Sequence, residues 1–181
     1  MAEQTKDDVQ NSMSTGTTIM EQHGFKMTLP AMANWPDDKE TKFLLAEEVK
    51  EIGKQIIDKF RDDLRNVNIG YVFRKKSPKS DEVVTMGTAK IENELQKVLH
   101  GYDAIVTIGH DTWKDLEGDS KFRLVHHELE HFQVNFETGA LKTVNHPVEE
   151  FPSTIKIFGP GQSSHVDFIY AYNEFSKNHG R

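Results

Sequence analysis

Arg123-Leu124-Val125-His126-His127-Glu128-Leu129-Glu130-His131-Phe132 contains one His-Glu-x-x-His array, His127-Glu128-Leu129-Glu130-His131. On a helix, residues four apart lie one above the other on one face, so His127 and His131 are spaced to hold a single Zn²⁺ from one side. Glu128 lies about 100° around the helix from His127. From there its carboxylate reaches a water on the metal without ligating the metal itself. Phe122, Val125, Leu129 and Phe132 recur at three- and four-residue steps, which predicts a helix with a packed face; Gly139 ends the run. A pattern of five residues also arises by chance, and a helical His pair can be an ordinary surface pair or a pair bonded to carbonyls. The rest of the chain has to raise the odds.

Composition narrows the chemistry. The chain has 181 residues, suited to one domain with a core that needs no staples. It has no cysteine, so a zinc site here must use His and carboxylate. That absence fits a reducing cytoplasm. No apolar run approaches membrane-spanning length, and the N-terminus has no apolar signal core. The net charge of −7 makes nucleic acid an unfavourable default partner, because phosphate binding is dominated by Lys and Arg.

Residues 1–35 read as a flexible tail, polar and without sustained period, in which Phe25, Met27, Leu29 and Met32 are able to dock on the body. Residues 36–181 read as a single domain. Trp35-Pro36-Asp37-Asp38 starts a long amphipathic helix over roughly 38–65, with Gly53 a defect where another backbone approaches. Strands are expected at Ile69–Phe73, Val83–Ala89 and Ala104–Ile108, with a short helix ending near His100-Gly101. Arg74-Lys75-Lys76-Ser77-Pro78-Lys79 is a basic loop, solvated or in contact with an acidic partner. Leu141–Asn145 is a connection, His146–Phe151 opens a further helix, and Ser164-x-x-Asp167 caps a last one. The order predicts an α+β fold: a small, mostly antiparallel sheet of about three strands covered by helices. Ala104–Ile108 is the strand expected to pair with an extended peptide, as an edge strand.

A catalytic zinc takes three protein ligands and keeps one position for water. The helix supplies two. Candidates for the third are His146, Glu149, Glu150, His110, His165 and Asp167. His146 is the first choice, since it follows the helix by a short connection and opens the next. Glu150 is the alternative ligand, although Glu149 and Glu150 also suit a helix start by charge alone. His126 points to another side and reads as a packing residue. His110, Tyr170 and Tyr172 are candidate oxyanion donors, with packing the default role for the tyrosines.

His127 to His131, a connection, then His146-Pro147-Val148-Glu149-Glu150-Phe151 resembles the SprT-like (Spartan-type) metalloprotease core. There the motif is followed, after a similar gap, by a third zinc-binding histidine opening a helix. The wider pattern is similar to the putative phage metallopeptidase family. It runs through Met86-Gly87-Thr88-Ala89, Ala104 to Ile108, Asp111-Thr112-Trp113, the His127–His131 helix and His146 to Phe151, over about residues 69–158. The resemblance implies a zincin-like fold and a phage-encoded enzyme in the host cytoplasm, acting on a protein or peptide. Zn²⁺ would be bound by His127, His131 and His146, and Glu128 would be the catalytic general base. A different class of function is a catalytically silent zinc-binding domain that acts by binding a host protein, as an anti-defence or regulatory factor. A Spartan-like role on DNA-bound proteins is disfavoured by the acidic balance and by the lack of the cysteines of a zinc ribbon. A di-iron bundle needs a second Glu-x-x-His helix, which the chain lacks.

Overall fold

The computed structural model describes residues 18–22, 25–30, 34–80, 83–145 and 152–158. The first described piece is an antiparallel pair of β1 (Thr18–Gln22) and β2 (Phe25–Leu29). It lies within the stretch expected to be a tail, and β2 rests near the first helix.

That helix is shorter than the periodicity predicted. The Asp38 carboxylate accepts from the amides of Glu40 and Thr41 and from the Thr41 hydroxyl, which makes a local turn. Phe43–Leu45 is a strand, β3, and α1 spans Glu47–Phe60, followed by a 3₁₀ turn over Asp62–Leu64. Leu45 shares the helical spacing, yet its backbone hydrogen-bonds to the next strand and its side chain is exposed. Val49, Ile52 and Ile56 form the buried face of α1. Gly53 is the point of close approach, but to a side chain: a Cβ there would lie 2.7 Å from Cζ of Tyr71.

The rest of the sheet follows: β4 (Ile69–Arg74), a short ribbon of β5 (Lys79–Ser80) and β6 (Val83–Val84), then β7 (Gly87–Ile91). Helix α2 (Glu94–His100) starts where the Asn93 side chain accepts from the Gln96 amide and stops at Gly101 with φ +79°. Then come β8 (Ala104–Gly109) and the single turn α3 (His110–Trp113). Among the described residues the main sheet has four strands in the order β3-β4-β8-β7, one more than expected. Its outer pairings are antiparallel and the central β4–β8 pairing is parallel. The class is α+β as predicted. The position of β8 is not: it is flanked on both sides, so it has no free edge for a substrate. The continuous apolar run that makes Ala104–Ile108 the clearest strand in the sequence is what an interior strand requires. The edge beside it is β7.

Helix α4 (Gly118–Glu130) carries the histidine motif and packs against α1 and β7. It ends earlier than Gly139. Phe132 opens β9 (Phe132–Val134), which pairs with β10 (Leu141–Thr143) in a hairpin whose turn holds Gly139 at φ +70°. The residues expected to be a plain connection are thus a strand, because Leu141 pairs with Val134 only once the chain has turned back. Helix α5 (Pro152–Phe158) packs on α4. Buried Glu48 joins α1, α3 and α4: its carboxylate accepts from Trp113 Nε1 at 2.8 Å and from Lys121 Nζ at 2.9 Å. The core is Val49, Ile52, Ile56, Leu64, Phe73, Val106, Ile108, Trp113, Val125, Leu129 and Phe132.

Candidate active site

His127 and Glu128 lie in the last turn of α4, and His131 is its C-terminal cap, still in right-handed helical conformation. The helical spacing therefore carries through the whole motif. The two imidazoles face each other with ring centroids 5.2 Å apart at 77°. Both rings are half-buried.

His131 is fixed twice to one residue. Val144, just past β10, donates its amide to the His131 carbonyl at 2.8 Å, and its own carbonyl lies 2.8 Å from His131 Nδ1. A carbonyl only accepts, so His131 Nδ1 is the donor in this bond. This is the arrangement that orients a metal-ligating imidazole.

Arg61, just beyond α1, was not singled out by sequence reasoning. Its guanidinium donates to the Leu129 carbonyl at 2.7 Å and to the Phe132 carbonyl at 2.5 Å, on either side of His131. It also pairs with Asp63 and Glu130 at 2.9 and 3.0 Å. The end of α4 is thus capped by a side chain 68 residues earlier. A basic residue at the close of an amphipathic helix gives no signal of that.

The Glu128 side chain is 4% exposed. It lies under the first residue of the edge strand: a Cβ on Gly87 would stand 2.7 Å from its carboxyl carbon. Gly87 is therefore required by contact, since any side chain there would displace the carboxylate. Its place in Met86-Gly87-Thr88-Ala89 was visible in sequence, its contact with Glu128 was not.

The other candidates separate clearly. His126 is 1% exposed, with Nδ1 2.9 Å from the Thr154 hydroxyl and its ring edge-on to Phe60, so it is a packing residue joining α4 to α5. The His110 ring packs between Trp35, tilted to it at 5.1 Å, and Phe73, edge-on at 5.4 Å. His146, Glu149, Glu150, His165, Asp167, Tyr170 and Tyr172 lie outside the described residues. Among the described residues no group of three or more metal-ligating side chains stands together. Two imidazoles, one oriented through Nδ1 by a backbone carbonyl, with a buried carboxylate next to them in the chain suit part of a zinc donor set.

A family model described as putative phage metallopeptidase matches residues 41–173. The chain belongs to that family. The match takes in every element from β3 to α5, the histidine motif and the edge strand included. The family's description is that of a peptidase, a hydrolase of peptide bonds, that depends on a metal. No match was found among curated proteins or among solved structures. Among the described residues no helix is long and apolar enough to cross a membrane.

Proposed function

We propose that this chain is a phage-encoded, zincin-like zinc peptidase, with His127, His131 and His146 as ligands, Glu150 as the alternative third ligand, and Glu128 as general base. The observation that carries the reading is Glu128, a carboxylate buried beside the facing pair His127 and His131 and directly beneath the start of an edge strand. The choice of His146 has support from covalent reach. Val144 is bonded to His131 through ring and backbone, and two residues of chain span at most about 7 Å.

Zn²⁺ bound there supplies a Lewis acid that brings the pKa of water from about 15.7 towards about 7. Glu128 would take the proton from the attacking water, whose oxygen bonds to the scissile carbonyl carbon, and as the C–N bond breaks would pass that proton to the departing amine. Burial under β7 keeps bulk water from competing for the carboxylate. Strand β7, which has no pairing partner on its outer side among the described residues, would offer backbone groups to an extended polypeptide, and its first residue would set the cleaved bond near Glu128.

The test is a pair of variants assayed on unfolded protein and peptide pools. Glu128→Gln keeps its zinc and loses about 10²–10⁴-fold in kcat. His146→Ala loses zinc, read by elemental analysis of protein purified without a metal column. Full activity in Glu128→Gln removes the general-base assignment, and unchanged zinc in His146→Ala moves the third ligand to Glu150. Zinc binding by the wild type with no turnover on any pool supports the catalytically silent, host-protein-binding alternative.

A further inference from the structure

The chain is acidic overall, yet its connection from β4 to β7 is strongly basic where it leaves the sheet: Arg74-Lys75-Lys76-Ser77-Pro78-Lys79. Asp81 and Glu82 follow, outside the described residues. The structure puts this arm at the end of the sheet where Glu128 lies. Arg74 pairs with Gly109 at the close of β8, Gly109 donates to the Met86 carbonyl at 2.8 Å, and the next residue is Gly87, in contact with Glu128.

The arm is anchored at its base. The Ser77 amide and hydroxyl both donate to Asp111 at 2.8 Å, and the Thr85 amide donates to the Pro78 carbonyl at 2.9 Å. Lys75 is engaged, donating to the Asp38 carbonyl and lying over the Trp35 ring. Arg74, Lys76 and Lys79 are exposed, and no ion pair among the described residues holds them. Val83 and Met86 on the same arm are exposed apolar side chains.

A strand added to β7 pairs more stably antiparallel than parallel. Strand β7 runs from Gly87 to Ile91, so an antiparallel guest runs the other way, with its C-terminal part passing Gly87 and Glu128 and continuing onto the arm. We propose that Arg74, Lys76 and Lys79, on the segment that leaves β4, are the specificity element of the site, and that they select polypeptides with acidic residues on the C-terminal side of the cleaved bond. The inference rests on the peptidase reading of Glu128 and adds the substrate class. The guest is a polypeptide rather than a nucleic acid because the arm continues into β7, a strand with no second pairing partner among the described residues, and such an edge binds backbone amides and carbonyls. Interleaved Val83 and Met86 suit side chains better than phosphates, and the rest of the molecule repels a polyanion.

The experiment uses the full chain loaded with zinc and two peptides that differ only in three Glu against three Gln, placed C-terminal to a cleaved bond. The wild type is expected to favour the Glu peptide about tenfold in kcat/KM, with the preference shrinking as salt rises. In R74E/K76E/K79E the preference inverts. Anisotropy with zinc-loaded Glu128→Gln protein reads the same preference as binding, without turnover. Equal cleavage of both peptides by a wild type that Glu128→Gln inactivates overturns the arm while leaving the peptidase reading intact. A preference that survives charge reversal, or one that appears only for Glu on the N-terminal side, also overturns it. A single-stranded oligonucleotide that displaces the Glu peptide and binds more tightly overturns it in favour of nucleic acid. Glu-peptide binding that depends on the arm, in a wild type that cleaves neither peptide, upholds the arm and removes the peptidase reading.

Discussion

Glu128 and Gly87 act as one unit. A methyl group on Gly87 has nowhere to go but into the carboxylate, and a glutamate side chain can swing away at small cost to the fold. Gly87→Ala is therefore expected to keep the melting temperature within a few degrees while lowering kcat by about 10²-fold, the penalty for a catalytic group misplaced by about 1 Å. Steady-state kinetics beside thermal melts check this; unchanged kcat would mean the carboxylate acts from elsewhere. Asp111 carries a second prediction. Burial works against its charge, but the bonds from the Ser77 hydroxyl and amide and the Thr112 amide outweigh it and hold the carboxyl below the usual carboxylate range. A depressed folded value adds stability that is full above the unfolded value of about 4 and is lost as pH falls through the folded value. Asp111→Asn should thus be less stable than wild type at pH 7, with the gap in urea midpoint closing towards pH 3. A gap independent of pH would show that the charge is not what anchors the arm.

The end of α4 is where secondary structure and chemistry meet. A helix leaves its last carbonyls without partners, and here Arg61 takes Leu129 while Phe132 begins a strand and gives its own carbonyl to the same guanidinium. The hairpin β9–β10 then returns Val144 to His131. His131 is thus held by the far end of the hairpin that follows it, and its two chain flanks are held by Arg61, from the turn after α1. Arg61→Met should cost about 3 kcal/mol, at the low end for removing one partner of a largely buried pair. It should also weaken zinc affinity, because the imidazole loses its fixed direction; substitutions that reach the metal indirectly typically cost about 10–100-fold. Equilibrium unfolding and competition with a zinc indicator separate the two effects. A stability loss with unaltered zinc affinity would make Arg61 structural only.

For the molecule as a whole, the proposed zinc would link metal to fold. Zinc that binds the native state alone stabilises it by about 4 kcal/mol at a thousand times its dissociation constant. In a chain of this length that raises the melting temperature by about 10 °C. The rise should vanish in His131→Ala and on chelation, and a rise that persists in His131→Ala would place zinc elsewhere. The histidine motif, the α+β class, the strands at Ile69–Phe73 and Ala104–Ile108 and the stop at Gly101 were all legible in the chain, because each depends on spacing within one element. The strand at Phe43–Leu45, the hairpin after Phe132, the interior place of β8 and the reach of Arg61 were not. Each depends on a partner distant in the chain: Arg74, Thr143, the two flanking strands, and two carbonyls on α4 and β9. Local periodicity encodes which face of a segment is apolar, and so it could announce a helix with two stacked imidazoles. It carries no record of which strand is left with an unpaired edge, and that edge, set by the order β3-β4-β8-β7, is what brings Gly87 over Glu128 and the basic arm beside it.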